Sequence, residues 1–127
     1  MKQKILVVDD LESIRDLLHD AFLKEGFEVY TAESSEEALP IIYRENIQVH
    51  FYDLHLPGMN GIELCRAVRK KRPVDLIFAM TGHPSIYALV ECREAGFDDY
   101  FIKPFDLRII IENTKRAFET IKRWKRQ

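Results

Sequence analysis

The chain is poor in most of the residues that mark specialised architectures: 127 residues include two cysteines, one tryptophan, five glycines and five prolines. Two cysteines cannot build the disulfide framework of a small secreted domain. Cys65 and Cys92 each sit among helix-forming neighbours, so both are read as buried free thiols in a reducing, cytoplasmic compartment. The glycines and prolines are too scattered for a low-complexity linker, and there are no internal repeats. Long apolar runs are missing as well. The segments from Ile5 to Val8 and from Leu76 to Met80 fall far short of the roughly 20 residues a membrane-spanning helix needs. Met1-Lys2-Gln3-Lys4 leads straight into a strand-like segment, which argues against a signal peptide or membrane anchor. Nor is there a surplus of one charge: 19 Lys and Arg against 21 Asp and Glu give a net charge of −2. That balance removes any global electrostatic case for nucleic acid or anionic lipid as a partner. Only Lys122-Arg123-Trp124-Lys125-Arg126 is locally basic.

What the chain does have is a 46% hydrophobic content, enough for one core of ordinary size. Short apolar runs alternate with amphipathic stretches, the pattern of a parallel sheet covered on both faces by helices. Ile5 to Val8, Phe27 to Ala32, Ile47 to Tyr52, Leu76 to Met80 and Tyr100 to Ile102 are the predicted strands. Ile14, Leu17, Leu18, Ala21 and Phe22 stripe a first helix that Gly26 closes. Ser34 and Glu37 have the spacing of a capping box, so a second helix starts near Ser35, and Pro40 should kink it or end it early. Leu56 to Gly61 is loop chemistry, Ile62 to Val68 a third helix, and Ile86 to Ala95 a fourth with Gly96 as its cap. Ile110, Thr114, Ala117, Phe118 and Ile121 stripe the fifth. The reading is therefore a doubly wound α/β domain of five parallel strands and five helices over residues 1–122. Residues 123–127 form a basic tail, either a true C-terminus or the start of a linker to an output domain. A Met1 start would place this domain first in its chain. In such a sheet ligands bind at the carboxyl ends of the strands.

Polar residues that a core has no use for stand at those ends: Asp9 and Asp10, Asp53, Thr81 and Lys103. Taken singly, an Asp at a strand-to-helix turn can be a helix cap and a lone Lys a solvated surface residue. Taken together, three carboxylates in one crevice would repel one another without a cation, and an all-oxygen site with room for water suits Mg²⁺. A lysine and a hydroxyl beside them suit a phosphoryl group, and a carboxylate can be the nucleophile that forms an aspartyl phosphate.

Val7-Val8-Asp9-Asp10, Asp53 with Leu56-Pro57-Gly58-Met59-Asn60-Gly61, Thr81-Gly82, Ala95-Gly96-Phe97-Asp98-Asp99-Tyr100 and Lys103-Pro104-Phe105 together resemble the receiver domains of two-component response regulators. The resemblance spans essentially the whole chain. It implies a flavodoxin-like sheet of order 2-1-3-4-5 and a phosphate accepted on Asp53 from a histidine kinase or phosphotransfer protein. It further implies Mg²⁺ held by Asp10, Asp53 and the backbone carbonyl of His55, with Asp9 acting through water. Lys103 and Thr81 would contact the phosphoryl oxygens, and the Lys103-Pro104 bond would be cis. Thr81 and Tyr100 would form the switch, altering the surface of the fourth helix, fifth strand and fifth helix that binds a partner, an output domain or a second receiver. On this reading the chain is a phospho-accepting switch and not an enzyme acting on outside substrates.

Three residues depart from the usual pattern of that family: His50 and Tyr52 replace strand aliphatics, and Pro40 interrupts the second helix. His50 is either a core histidine with a hydrogen-bond partner or a functional group, whereas His19 reads as solvated. His55 and His83 each lie two residues beyond a site residue, as exposed loop residues or as flanks of the phosphoryl group that order or block the attacking water. A Mg²⁺-dependent phosphatase with an aspartyl nucleophile is a competing class, but its Asp-x-Asp lacks a second acid in Asp53-Leu54-His55. An interaction module that has lost phosphorylation is another, and it would have lost the acidic pair or the lysine.

Overall fold

The computed structural model describes residues 2–125; Met1 and the tail residues Arg126 and Gln127 lie outside the described residues. Strands and helices alternate along the chain: β1 (Lys4–Val8), α1 (Glu12–Lys24), β2 (Glu28–Ala32), α2 (Ser35–Glu45), β3 (Val49–Asp53), α3 (Gly61–Lys71), β4 (Leu76–Thr81), α4 (Ile86–Ala95), β5 (Asp99–Ile102) and α5 (Leu107–Lys125). All strand pairs are parallel and the order is β2-β1-β3-β4-β5. The expected doubly wound sheet and its order are both present.

The period-two alternation of a strand divides the core into two layers. Ile5, Val7, Val49, Phe51, Phe78 and Met80 face α1 and α5, where they pack with Leu18, Phe22, Ile110 and Phe118. Leu6, Val8, Tyr52, Ile77 and Ala79 face α2, α3 and α4. Phe51 is fully buried, with the rings of Phe22 and Phe78 centred 5.3 and 5.2 Å from its own. Burial of such a side chain contributes about 2 kcal/mol or more. Because both faces are covered, functional groups are confined to the rim where the strands end.

Glycine closes two helices as expected, Gly26 at φ +90° and Gly96 at φ +105°. Pro40 does not end α2, which runs on to Glu45. Proline removes the hydrogen bond to the carbonyl four residues back, here that of Glu36, and both residues are exposed, so water can serve that carbonyl. Ser34 accepts from the Glu37 N–H, but the reciprocal capping box is at Asn60 and Glu63, where α3 begins. α3 also outlasts its expected end, and Arg69, Lys70 and Lys71 fill its last turn, where positive charge suits the carbonyl end of the helix dipole. β3 begins at Val49 rather than Ile47 and extends through Asp53, which pairs with Met80 of β4. Lys122, Arg123 and Lys125 lie in the last turn of α5.

Candidate functional site

Three strand ends use one local device. Asp9 Oδ1 accepts the Leu11 N–H at 3.0 Å, Asp53 Oδ1 accepts the His55 N–H at 3.1 Å, and Thr81 Oγ1 accepts the His83 N–H at 3.0 Å. Each side chain thus braces its own turn. For the two carboxylates the second oxygen points elsewhere: Asp9 Oδ2 lies 2.7 Å from Lys103 Nζ, and Asp53 Oδ2 lies 3.4 Å from it. Neither aspartate caps a helix, since the N-cap of α1 is Leu11 and that of α3 is Asn60; one oxygen of each serves its turn and the other the crevice.

Asp9, Asp10 and Asp53 each bring a carboxylate oxygen within 4.8 Å of the others. Asp9 is fully buried, Asp53 is 5% exposed and Asp10 is open to solvent. Burial pushes the Asp9 carboxyl above its ordinary pKa, and the Asp53 charge adds to this, while the hydrogen bond from Lys103 only partly offsets it. Burial draws Lys103 the other way, but the Asp9 hydrogen bond and the charges of Asp53 and Asp9 prevail and hold its ammonium above its usual value. Three carboxylates facing one ammonium leave a net negative crevice of hard oxygen donors with one exposed side, the donor set that fits Mg²⁺.

Neighbouring elements fix this rim in ways the sequence did not announce. Gly61 packs so closely on the backbone of Asp53 that an added Cβ would lie 2.2 Å from the Asp53 carbonyl oxygen. The buried Ser35 hydroxyl donates to the Met59 carbonyl at 2.7 Å, and Glu36 accepts from the Met59 N–H, which clips the β3–α3 loop to the start of α2. Arg15 of α1 donates to the Asp9 carbonyl at 2.9 Å.

Thr81 is 2% exposed and Tyr100 half-buried. Both line a cavity of about 240 Å³ beneath the N-terminal half of α4, with Leu54, Ala88, Leu89 and Cys92. The rings of His55 and His83 lie with centroids 5.7 Å apart. The Lys103-Pro104 bond is cis. Both cysteines are free and buried, and burial pushes the Cys65 thiol up to about 12.

His50 is a core residue. It has no exposed surface, and its Nε2–H donates to Asp75 at 2.9 Å while its Nδ1 accepts from the Tyr52 hydroxyl at 2.9 Å. Burial lowers its pKa against the opposing pull of Asp75, which favours the neutral ring. Arg72 completes the set with two bonds to the Asp75 carboxylate. His19 is a surface residue beside Asp20.

The family model described as response regulator receiver domain matches residues 5–115. Among solved structures, a CheY-like response regulator receiver domain protein from Methanospirillum hungatei JF-1 is 32% identical at a TM-score of 0.93, over 97% of this chain and 98% of that one. The chemotaxis protein CheY4 of Vibrio cholerae is 28% identical at 0.88, over 92% and 99%. NtrX of Brucella abortus is 33% identical at 0.90, and there the match covers 99% of this chain but 29% of that chain. This chain belongs to the response regulator receiver domain family of two-component signalling.

Proposed function

We propose that this receiver takes a phosphoryl group on Asp53 from a phosphorylated histidine of a kinase or phosphotransfer protein, with Mg²⁺ in the crevice, and that the change is read on the α4–β5–α5 face. The observation that carries the reading is the placement of Lys103: one ammonium is held against both Asp9 and Asp53 at the edge of a three-carboxylate cluster. Asp10, Asp53 and the His55 carbonyl would hold the metal directly and Asp9 through water. The ion supplies charge neutralisation for the transferring oxygens. An Asp53 carboxylate oxygen attacks phosphorus in line as the bond to the donor imidazole breaks. The Lys103 ammonium then pairs with the phosphoryl oxygens. Asp53-Leu54-His55 offers no second acid to release a product alcohol, which favours a switch over a phosphatase. His55 and His83, on the turns that follow Asp53 and Thr81, would tune the lifetime of the phosphate by ordering or blocking the attacking water.

A phosphoryl group adds three strong acceptor oxygens. Thr81 would turn its hydroxyl toward them and draw the β4–α4 loop inward. Tyr100, beside the same cavity, would shift between rotamers already in equilibrium. The face that changes is unusually apolar: Ile86, Tyr87, Val90, Ile102 and Ile109 are all exposed, Tyr87 by 80%. A patch of that kind is suited to a protein partner, whether a separate protein, an output domain beyond residue 122 or a second receiver. Among the described residues no helix is long and apolar enough to cross a membrane, and a cytoplasmic partner is the natural reader.

Acetyl phosphate with Mg²⁺ should add one acid-labile phosphate, and Asp53→Asn should abolish it. Undiminished labelling of Asp53→Asn would remove Asp53 as the acceptor. Thr81→Ala should still be phosphorylated while the NMR shifts at Tyr100 and along α4, seen on beryllofluoride treatment of the parent, disappear. Shifts confined to the crevice in the parent would rule out this route of transmission.

A further inference from the structure

His55 and His83 stand on different loops, yet identical local bonds present them. Each follows a site residue by two positions and donates its backbone N–H to that residue's side chain. The two turns bring the rings edge to face, with planes at 76° and centroids 5.7 Å apart. Both residues are exposed, so neither ring is placed there by burial in the core. The turns that carry them are bonded to Asp53 and Thr81, and Asp53 belongs with Asp9 and Asp10 to the negative crevice, whose field draws cations toward these loops.

We infer that His55 and His83 form a second metal site that takes a transition-metal dication such as Zn²⁺ between their imidazoles, separate from the hard-cation crevice. Zn–N bonds of about 2.0–2.1 Å at a tetrahedral angle place two imidazole centroids about 5.2 Å apart. From the edge-to-face arrangement a ring would have to turn about its side-chain bonds until a nitrogen of each imidazole faces the ion, and the centroids would have to close by roughly half an ångström, movements open to exposed side chains on surface loops. The two sites would sort ions by ligand type, because imidazole nitrogen suits Zn²⁺, Ni²⁺ and Cu²⁺ whereas carboxylate and carbonyl oxygen suit Mg²⁺. Water fills the remaining positions of the ion. A phosphoryl oxygen on Asp53 could replace one water, and that coupling alone rests on the phosphorylation reading. An ion across the pair ties the β3–α3 loop to the β4–α4 loop, and so restrains the segment that carries Thr81.

The test is a Zn²⁺ titration of the full chain in saturating Mg²⁺, followed by calorimetry and by the histidine ring signals in NMR. One Zn²⁺ should bind, with the His55 and His83 rings shifting together. His55→Ala and His83→Ala should each weaken binding by about tenfold or more, as loss of one of two protein ligands requires, while His19→Ala should not. Asp53→Asn should retain the site, which separates it from the phosphorylation reading. A loss in Asp53→Asn as large as in the histidine variants would overturn the inference. So would Zn²⁺ that Mg²⁺ displaces and that both histidine variants bind as tightly as the parent.

Discussion

Lys103→Ala isolates the electrostatics of the crevice. In the parent, Asp9 is fully buried with its Oδ2 2.7 Å from the ammonium, and Asp53 Oδ2 is 3.4 Å away. Removing one member of a buried ion pair costs about 3–5 kcal/mol, because the other charge is left uncompensated. Lys103 keeps 16% of its side chain exposed, so the lower end, about 3 kcal/mol, applies at pH 7. Asp9 could escape by taking up a proton. From its ordinary value of 3.8, at 1.36 kcal/mol per unit, that route costs ~4.4 kcal/mol at pH 7 but only ~1.6 kcal/mol at pH 5. The sign follows from the shift. A carboxyl raised in the folded state adds stability below its unfolded pKa and loses it as pH climbs through the folded value. The penalty of Lys103→Ala should therefore shrink from about 3 kcal/mol at pH 7 to no more than about 1.6 kcal/mol at pH 5. Urea unfolding in EDTA measures it. Saturating Mg²⁺ should narrow the gap at pH 7, because the divalent ion replaces the missing positive charge. A loss below about 1 kcal/mol at pH 7, or one that is equal at the two pH values, would refute the picture of a buried carboxylate held by this lysine.

Gly61→Ala puts a methyl 2.2 Å from the Asp53 carbonyl oxygen. It should cost about 1–3 kcal/mol by overpacking and slow phosphorylation by acetyl phosphate, whereas unaltered stability and rate would show that this contact yields freely. Asp75→Ala leaves the Nε2–H of the fully buried His50 without its acceptor. Its urea stability should fall by about 2–3 kcal/mol, and a drop under about 1 kcal/mol would mean that the bond carries little. His50 has a folded-state pKa below its ordinary 6.5. The stability it contributes is present above pH 6.5 and is lost as pH falls toward the folded value. Its ring should still give neutral-form NMR signals just below pH 6.5, and a protonated His50 ring there would contradict the buried network.

The fold was legible because its grammar is local. Apolar runs of strand length, amphipathic stretches and left-handed glycines at positions 26 and 96 act within a few residues of one another, and the resemblance supplied the strand order. That Asp9, Asp10, Asp53 and Lys103 would come together was legible because several charged groups at the ends of buried strands have no use in a core. Boundaries were less so. Nothing within β3 itself says that pairing continues to Asp53; the length of β4, which supplies Met80 as the partner, decides that. Pro40 brought no early end to α2 because the cost of a proline depends on whether water can reach the carbonyl it leaves unbonded, and the exposure of Glu36 and Pro40 is a tertiary property. Asn60-Gly61-Ile62-Glu63 carried a capping-box signal of its own, hidden by the turn chemistry around it. Ser35, Glu36 and Arg15 had no signal, since their partners are backbone groups, those of Ser35 and Glu36 in a distant segment, and a bond to backbone leaves no mark on the partner's residue type.

His50 and Tyr52 show how one departure from an aliphatic strand propagates. A histidine on the α3 side of β3, fully buried, must either lose its proton or find an anion. Here it does both, staying neutral and donating to Asp75. A buried Asp75 carboxylate then needs a cation, and Arg72 supplies two bonds to it. The other imidazole nitrogen requires a donor, which the Tyr52 hydroxyl provides. Arg69 continues the set toward α4, donating to the carbonyls of Asp75 and Gly96 and to the Asp98 carboxylate. Each added group is thus forced by the one before it, since an unpaired polar group in the core costs more than its bond returns. The end point is mechanical. The C-terminal end of α4 is pinned through Gly96 and Asp98 to α3 and the start of β4, while its N-terminal half lies over the cavity that Thr81 and Tyr100 line. That asymmetry supports the proposed reading, in which phosphorylation of Asp53 alters the surface at the N-terminal half of α4.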